Sequence, residues 1–182
     1  GGGFILLIDS HIRESIMLLI EPRPKNKGEN MAKSEKFRIS APKPPGLTIH
    51  RDDQGIPHIY ADQFEGTMWG IGYCHAIDRT TQLLMMRILG KGRLCELLDD
   101  SQESLEIDTF FRRANWHNNI EQQIALLDNH TKQLCQSYCD GVNAGLSAKK
   151  MYVLKLMGYK AEPWTLADII LIMRMAGYLT LS

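Results

Sequence analysis

The sequence has no excess of positive or negative charge, and this limits the kinds of partner that we expect. Its 182 residues include 21 Lys and Arg and 21 Asp and Glu, so the formal net charge is zero. A nucleic-acid-binding domain usually presents a basic face, because contacts to phosphates dominate its affinity. We therefore expect no nucleic-acid partner. With 44% hydrophobic residues, the chain is still long enough to form one domain with its own core.

Spacing patterns typical of metal sites and disulfide frameworks are also missing. The six histidines show no H-E-x-x-H or similar ligand spacing. The four cysteines include no C-x-x-C pair, and Cys135 and Cys139 are spaced as neighbours on one face of a helix. We expect reduced, structural thiols and assign no metal site to this chain.

No apolar run is long enough for a membrane span or for a signal-peptide core of usual length. Two short runs, at residues 4–8 and 16–20, are separated by charged residues, and the polar stretch 21–30 is expected to be unstructured. The codons for Lys27-Gly28-Glu29 can spell a ribosome-binding sequence. We therefore hypothesise that translation starts at Met31 and that residues 1–30 lie upstream of the true start. A genuine N-terminal extension is the alternative.

A short β-hairpin is predicted after a proline-rich lead. Three prolines between residues 41 and 46 favour an extended chain, so residues 1–46 are expected to form an unstructured lead. Leu47 and Ile49 alternate with polar residues, and residues 52–55 predict a turn into a second strand, Ile56 to Tyr60. Because two strands alone are marginal in water, we expect them to pair with a sheet outside this chain.

The remainder of the sequence predicts helices. Small and apolar residues recur every three or four positions from Phe64, indicating one helix that ends at Gly90-Lys91-Gly92. Those glycines do not form a phosphate-binding loop, since the G-x-x-x-x-G-K-[ST] pattern is absent. Two further apolar faces flank a turn at residues 128–130. Thr165 to Asp168 resembles a capping box that opens a last helix, which has almost no polar face and is expected to be buried.

Charged residues inside these apolar patterns indicate fixed partners. Asp78 and Arg79 interrupt the first long helix, where burying an unpaired charge would be costly. Asp108 and Arg112 are four residues apart, so on a helix they are spaced to pair with each other. Arg174 in the last helix also needs a partner.

These segments together resemble the N-terminal part of the penicillin acylase (penicillin amidase) family of N-terminal-nucleophile hydrolases. The resemblance covers residues 47–182 and implies a fold that is mainly α with a short β-hairpin, as the α-chain part of an αββα hydrolase. The matching segments, in the family's order, are Ile49 to Asp52, Gly55 to Ala61, Gly72 to Arg79 with Gln82, Gly92 to Glu96, Asp108 with Arg112, Arg113 and Trp116, Tyr138 to Ala144, and Trp164 with Asp168.

The resemblance implies that this chain contains no catalytic residue. Family members are made as a precursor that is cut into an α chain and a longer β chain, whose first residue, usually Ser, is the nucleophile. This chain ends at Ser182, inside what would be the α chain, so we expect it to be truncated. Ser182 is not a candidate nucleophile, because its nitrogen lies in a peptide bond and this chemistry uses a free α-amino group. The implied partners are the rest of the α chain and the β chain.

Two groups of residues follow from the resemblance. Counting from Trp164, the family's acyl-pocket Met and Phe correspond to Gly177 and Leu181, and with the adjacent Tyr178 these are the substrate-binding candidates. A Gly leaves room and a Leu removes an aromatic wall, so we expect an acyl group longer or more aliphatic than phenylacetyl, with plain core packing as the alternative. The second group is expected to make structural hydrogen bonds and ion pairs: Arg51, Asp52, Asp78, Arg79, Gln82, Glu96, Asp108 and Arg112.

The implied function is hydrolysis of the acyl amide of penicillin-type or N-acyl-homoserine-lactone-type substrates, with the chain alone inactive. The calcium site of some relatives draws mainly on residues beyond this chain, so no cofactor is assigned here. Many relatives are periplasmic, but no signal peptide is recognised, and the location is left open. The alternative from a different class is a non-catalytic helical interaction module or the remnant of a broken gene.

Overall fold

The structure of the chain, a computed structural model, describes residues 41–148, 159–160 and 162–181, and side chains in the last helix through Tyr178. The expectations for residues 1–40, including a start at Met31, lie outside the described residues. So do those for Ser182 and for the Leu181 side chain.

The predicted hairpin is present at the start of the described chain. Strands β1 (Thr48–Arg51) and β2 (Pro57–Tyr60) pair antiparallel, with Ile49 opposite Ile59. Ile49 and the preceding Leu47 are buried in a cluster with aromatic side chains of the first helix. Within the described residues the sheet has these two strands alone. The alternation of apolar and polar residues therefore sets which face of the hairpin meets the helices.

Helices make up most of the rest, and none in the described part is long and apolar enough to cross a membrane. The mainly helical fold with a hairpin is thus confirmed. The helices are α1 (Phe64–Asp78), α2 (Thr80–Gly90), α3 (Leu94–Leu97), α4 (Gln102–Ala114), α5 (Ile120–Leu126), α6 (Asn129–Ala148) and α7 (Leu166–Leu181).

Helices α1 and α6 pack backbone against backbone. A Cβ atom on Gly72 of α1 would lie 2.2 Å from the Tyr138 carbonyl oxygen, and one on Gly141 of α6 would lie 2.0 Å from that of Trp69. Both distances are far below any real contact, so only glycine fits at these positions. The small residues of the predicted helical stripe are therefore the residues that bring the two helices together.

The prediction of a single helix from Phe64 to Gly90 is wrong, because the helix is interrupted at one residue. Arg79 has φ −123° and ψ 28°, which separates α1 from α2. The Thr80 hydroxyl donates a hydrogen bond to the Ala76 carbonyl oxygen, and the Arg79 backbone N–H donates to His75 O at 2.8 Å. A hydroxyl that bonds to the preceding turn competes with regular helix geometry, a local effect that apolar periodicity does not reveal.

The last helix, α7, is buried on one face only. Leu171 and Met175 are buried, and both would touch a Cβ atom added at Gly90 of α2. On another face Met173 is 67% exposed, so the expectation of a fully buried helix is wrong. The predicted cap is present, since Asp168 Oδ2 accepts the Thr165 N–H at 2.9 Å. Its carboxylate thereby satisfies a backbone donor that the helix leaves free.

Candidate functional site

The open face of α7 contains the first substrate-binding candidate. A Cβ atom added to Gly177 would meet no heavy atom within 4 Å. Met173, one turn earlier on the same side of the helix, is the strongly exposed apolar residue noted above. The two residues form an apolar stripe with a notch at Gly177. Gly177 was predicted from the sequence to be a substrate-binding candidate, but its neighbour Met173 was not.

The second candidate, Tyr178, belongs to an aromatic cluster. Its ring centroid lies 5.0 Å from that of Trp116 and 6.4 Å from that of Phe110, and Phe111 packs edge-on against Trp116 at 5.5 Å. Tyr178 remains 40% exposed. The structure therefore places Tyr178 against the C-terminal end of α4. The sequence signal for this cluster was the pair of adjacent phenylalanines followed by a tryptophan, and the cluster was not predicted from it.

Arg174 ties α7 to the loop after α4. Its Nη1 atom donates to the carbonyl oxygens of Trp116 and Asn118, and its Nη2 atom donates to Gln123 Oε1 at 2.7 Å. The prediction that Arg174 needs a partner is confirmed, with neutral acceptors in place of a carboxylate. These bonds hold Trp116 beside Tyr178.

Two of the motif residues, Arg51 and Asp78, form an ion pair across 27 positions of sequence. Arg51 Nη2 donates to Asp78 Oδ1 at 2.9 Å and to Oδ2 at 3.1 Å, while Nη1 donates to the Gly55 carbonyl oxygen at 2.8 Å. The predicted partner for Asp78 is thus Arg51. The pair joins the hairpin turn to the C-terminal end of α1.

Asp52 organises the hairpin turn. Its Oδ1 atom accepts the backbone N–H groups of Gln54 at 3.0 Å and Ile56 at 2.9 Å, and Oδ2 lies 3.1 Å from His58 Nε2. The hydrogen bond with His58, followed by that from Ile56, lowers the pKa of the Asp52 carboxyl below its usual value. An Asp in this position stabilises a turn by accepting bonds from the backbone two and four residues ahead.

Arg79 and Gln82 differ from the other motif residues. Both side chains are exposed, and neither makes a hydrogen bond or an ion pair to any part of the chain that the structure describes. The fixed partner expected for Arg79 is therefore not found among the described residues. The reason is the helix break, which turns residue 79 away from the packed stripe formed by residues such as Ala76 and Leu84.

Asp108 and Arg112 both bind the turn before α3 and do not pair with each other. The buried Asp108 carboxylate accepts the N–H groups of Leu94 at 2.7 Å and Cys95 at 2.9 Å, and Arg112 Nε donates to the Gly92 carbonyl oxygen at 2.8 Å. The predicted pair is therefore wrong. A buried carboxylate gains more from two helix N-terminal donors than from one exposed guanidinium.

Glu96 forms a charge-paired group with Arg93. Arg93 donates to both oxygens of Glu96, at 2.8 and 2.7 Å, and to Glu162 Oε1 at 2.8 Å. The hydrogen bonds from Arg93 lower the pKa of both glutamates. Arg93 thus joins Glu96 of α3 to Glu162 in the segment before α7.

A buried ionic cluster between α2 and α7 was missed by sequence reasoning. Arg87 Nη1 lies 3.6 Å from Asp168 Oδ2, Nη2 donates to the Tyr159 hydroxyl at 2.9 Å, and the guanidinium lies 5.0 Å from the Trp164 ring centroid. Lys91 Nζ lies 2.8 Å from Asp168 Oδ1 and forms an ion pair with it. The two groups are not aligned for a hydrogen bond. The signal was an arginine placed within an apolar stripe, which requires an internal acid.

Neither a metal cluster nor a disulfide is present among the described residues. No three His, Cys, Asp or Glu side chains in the described ranges lie together as metal ligands, and the four cysteines are free. Burial raises the pKa of the Cys74 thiol to about 11 and that of Cys139 to about 12, so both are poor nucleophiles at neutral pH.

Residues 47–182 match the family model described as penicillin amidase. The chain belongs to the penicillin amidase family. The named members of this family include acylases, which are amidohydrolases.

Relatives in the penicillin amidase family are much longer than this chain. Acyl-homoserine lactone acylase QuiP from Pseudomonas putida is 35% identical over 129 residues, which cover 69% of this chain and 16% of that protein. Penicillin acylase 2 proenzyme from Pseudomonas sp. (strain SE83) is 32% identical over 141 residues, covering 74% of this chain and 18% of that protein. The chain therefore spans less than a fifth of the length of these curated relatives.

A solved structure of a penicillin amidase family member has a similar fold. The thermostable penicillin G acylase from Alcaligenes faecalis matches with a TM-score of 0.64 and 28% sequence identity, covering 75% of each chain. This likeness extends over three quarters of the chain and supports the helical arrangement around the hairpin.

Proposed function

We propose that this chain is the N-terminal portion of the α chain of an αββα N-terminal-nucleophile amidohydrolase. It acts together with the rest of the α chain and a β chain of the same precursor. The observation that carries this proposal is the family match over residues 47–182 in a chain that spans less than a fifth of its curated relatives. One of those relatives is itself named a proenzyme, which supports cleavage of a precursor.

The proposed reaction is acyl transfer followed by hydrolysis. Cleavage of the precursor frees an N-terminal Ser on the β chain, whose α-amino group has an ordinary pKa of about 7.7 to 8.0 and accepts the hydroxyl proton. The Ser oxygen attacks the amide carbonyl, hydrogen-bond donors stabilise the oxyanion, and the amine leaves. Water then releases the acid. In this scheme any calcium site draws on residues beyond this chain.

The role proposed for this chain is to form part of the acyl-binding wall. Gly177 leaves a notch on the exposed face of α7, and Met173 lines the same stripe. An unbranched aliphatic acyl chain suits such an apolar notch better than a flat ring, which gains from an aromatic wall. We propose a preference for aliphatic acyl groups, as in the acyl-homoserine lactones named for the Pseudomonas putida relative.

The test is a substrate comparison with the enzyme made from the complete gene. Its kcat/KM is measured for acyl-homoserine lactones of increasing chain length and for a phenylacetyl amide. We expect turnover, with the aliphatic substrates preferred. A clear preference for phenylacetyl would overturn the acyl-group proposal, and no amide hydrolysis at all would overturn the proposed activity.

The non-catalytic alternative is separated by the DNA beyond codon 182. A continued reading frame with a spacer and an internal cleavage site ahead of a Ser supports the amidohydrolase. A stop codon at that position supports an interaction module or a gene remnant.

A further inference from the structure

Two motifs that are far apart in sequence meet on one exposed surface. The Arg51–Asp78 ion pair brings the hairpin turn against the junction of α1 and α2. We call the group formed by Arg51, Asp52, Asp78, Arg79 and Gln82 the junction surface. Its residues are half-buried or exposed, so they do not serve as buried core ion pairs.

Three of the four charged side chains of the junction surface have hydrogen-bond partners among the described residues, and Arg79 does not. Asp52 is bound by His58 and by the turn backbone, and Asp78 is bound by Arg51. The exposed Arg79 side chain makes no hydrogen bond or ion pair with the described residues. One cation therefore faces outward from a surface whose other charges have partners.

Another exposed arginine provides a useful contrast. Arg113 also has no ion pair within the described ranges, but it lies in the last turn of α4, where a cation is favoured by the partial negative charge of a helix C-terminus. The position of Arg113 is thus explained within its own helix. Arg79 is both the C-cap of α1 and the N-cap of α2, so the partial charges of the two helix ends oppose each other and do not explain a cation there.

We infer that the junction surface binds the remainder of the precursor, with Arg79 paired to a carboxylate of that segment and Gln82 hydrogen-bonded beside it. This inference rests on the proposed function, which supplies the partner. Ile56, 52% exposed and located at the turn that Asp52 holds, adds an apolar contact. Charge complementarity of this kind fixes how two surfaces align, and an interfacial charge left unpaired weakens the complex strongly.

The experiment places a photo-crosslinking amino acid at position 79 of the full-length precursor and, as a matched control, at position 113. Mature protein is irradiated, and the crosslinked peptides are identified by mass spectrometry. We expect position 79 to crosslink to a peptide outside residues 1–182 that contains Asp or Glu, and position 113 not to do so. Crosslinks from position 79 confined to residues 1–182, or none, would overturn the inference.

Charge variants give an independent readout in the same precursor. Arg79→Glu should lower the yield of mature, associated complex by about tenfold, whereas Arg79→Lys and Arg113→Glu should stay within about twofold of wild type. Equal yields for Arg79→Glu and Arg113→Glu would count against the junction surface. Wild-type turnover of acyl amides is measured in parallel. A wild-type protein without turnover would show that the proposed function is wrong. Normal wild-type turnover with the contrary variant or crosslinking results would show that this inference alone is wrong.

Discussion

Arg87 and Asp168 form a buried ion pair between α2 and α7, with 3.6 Å between Arg87 Nη1 and Asp168 Oδ2. Their side chains are only 2% and 1% exposed. Asp168 also caps the first turn of α7, so one carboxylate joins the cap to the packing of two helices. This pair fixes the start of the helix on which the substrate-binding candidates lie.

Removing Asp168 leaves the buried Arg87 without an anionic partner, and removing Arg87 leaves the buried Asp168 with the partly exposed Lys91 as its ion-pair partner. We expect Asp168→Asn or Arg87→Met to destabilise the mature protein by about 3–5 kcal/mol, the range for breaking a buried ion pair. Thermal or denaturant unfolding measures the loss. Lys91→Met is the matched control, because Lys91 is 31% exposed and should cost about 1 kcal/mol or less. Equal losses for Lys91→Met and Arg87→Met would contradict this account.

The close packing of α1 and α6 predicts opposite results for two glycines. Gly141→Ala forces a methyl group against the Trp69 carbonyl oxygen, and we expect it to destabilise the protein by about 1–3 kcal/mol or more. Gly177→Ala meets open space and removes a helix-interior glycine, so we expect no loss or a gain of up to about 1 kcal/mol. Unfolding midpoints of the two variants decide the point. An intact Gly141→Ala protein with wild-type stability would show that the helices are not in backbone contact.

The Arg93 group predicts a pH-dependent contribution to stability. Because Arg93 lowers the pKa of Glu96 and Glu162 below the usual value of 4.5, its stabilisation is present above that pH and is lost as the pH falls through the lowered values. Arg93→Gln should therefore lower the Tm at pH 7, and the difference from wild type should shrink below pH 4.5. Arg113→Gln, which breaks no described ion pair, should show no such trend. A Tm difference for Arg93→Gln that is constant with pH would refute the prediction.

Filling the notch on α7 should change acyl-group selectivity. We expect Gly177→Met to lower kcat/KM for long aliphatic acyl substrates by about tenfold relative to short ones, the effect of a few methylene groups in an apolar pocket. Gly177→Ala should shift the ratio much less. The measurement is the kcat/KM ratio of a long-chain to a short-chain acyl-homoserine lactone. An unchanged ratio in Gly177→Met would place the acyl group away from α7.

The elements that sequence predicted best are those with strong local signals. Alternating residues and the Asp52 turn located the hairpin, and Thr165 to Asp168 located the start of α7. Each signal depends on residues within a few positions of each other. Local hydrogen bonding and side-chain period determine such features, so they can be recognised without knowledge of the rest of the fold.

The wrong predictions concern residues whose partners are set by contacts between distant parts of the chain. The spacing of Asp108 and Arg112 suits an ion pair, but Asp108 instead accepts two backbone N–H groups from a turn about fourteen residues earlier. Arg87 lay within an apolar stripe, and its acid, Asp168, lies far along the sequence. The stripe of Met173 and Gly177 could not be distinguished from a buried face by hydrophobicity alone, since the same residues suit a core or a binding wall.

Labelling of the reactive residue shows whether another segment supplies the nucleophile while this chain shapes the site. The protein expressed from the complete gene is treated with a serine-directed sulfonyl fluoride until acylase activity is lost, and the modified peptide is sequenced. The account predicts a single label on the first residue of a second chain. A label on any residue between 1 and 182 would contradict it.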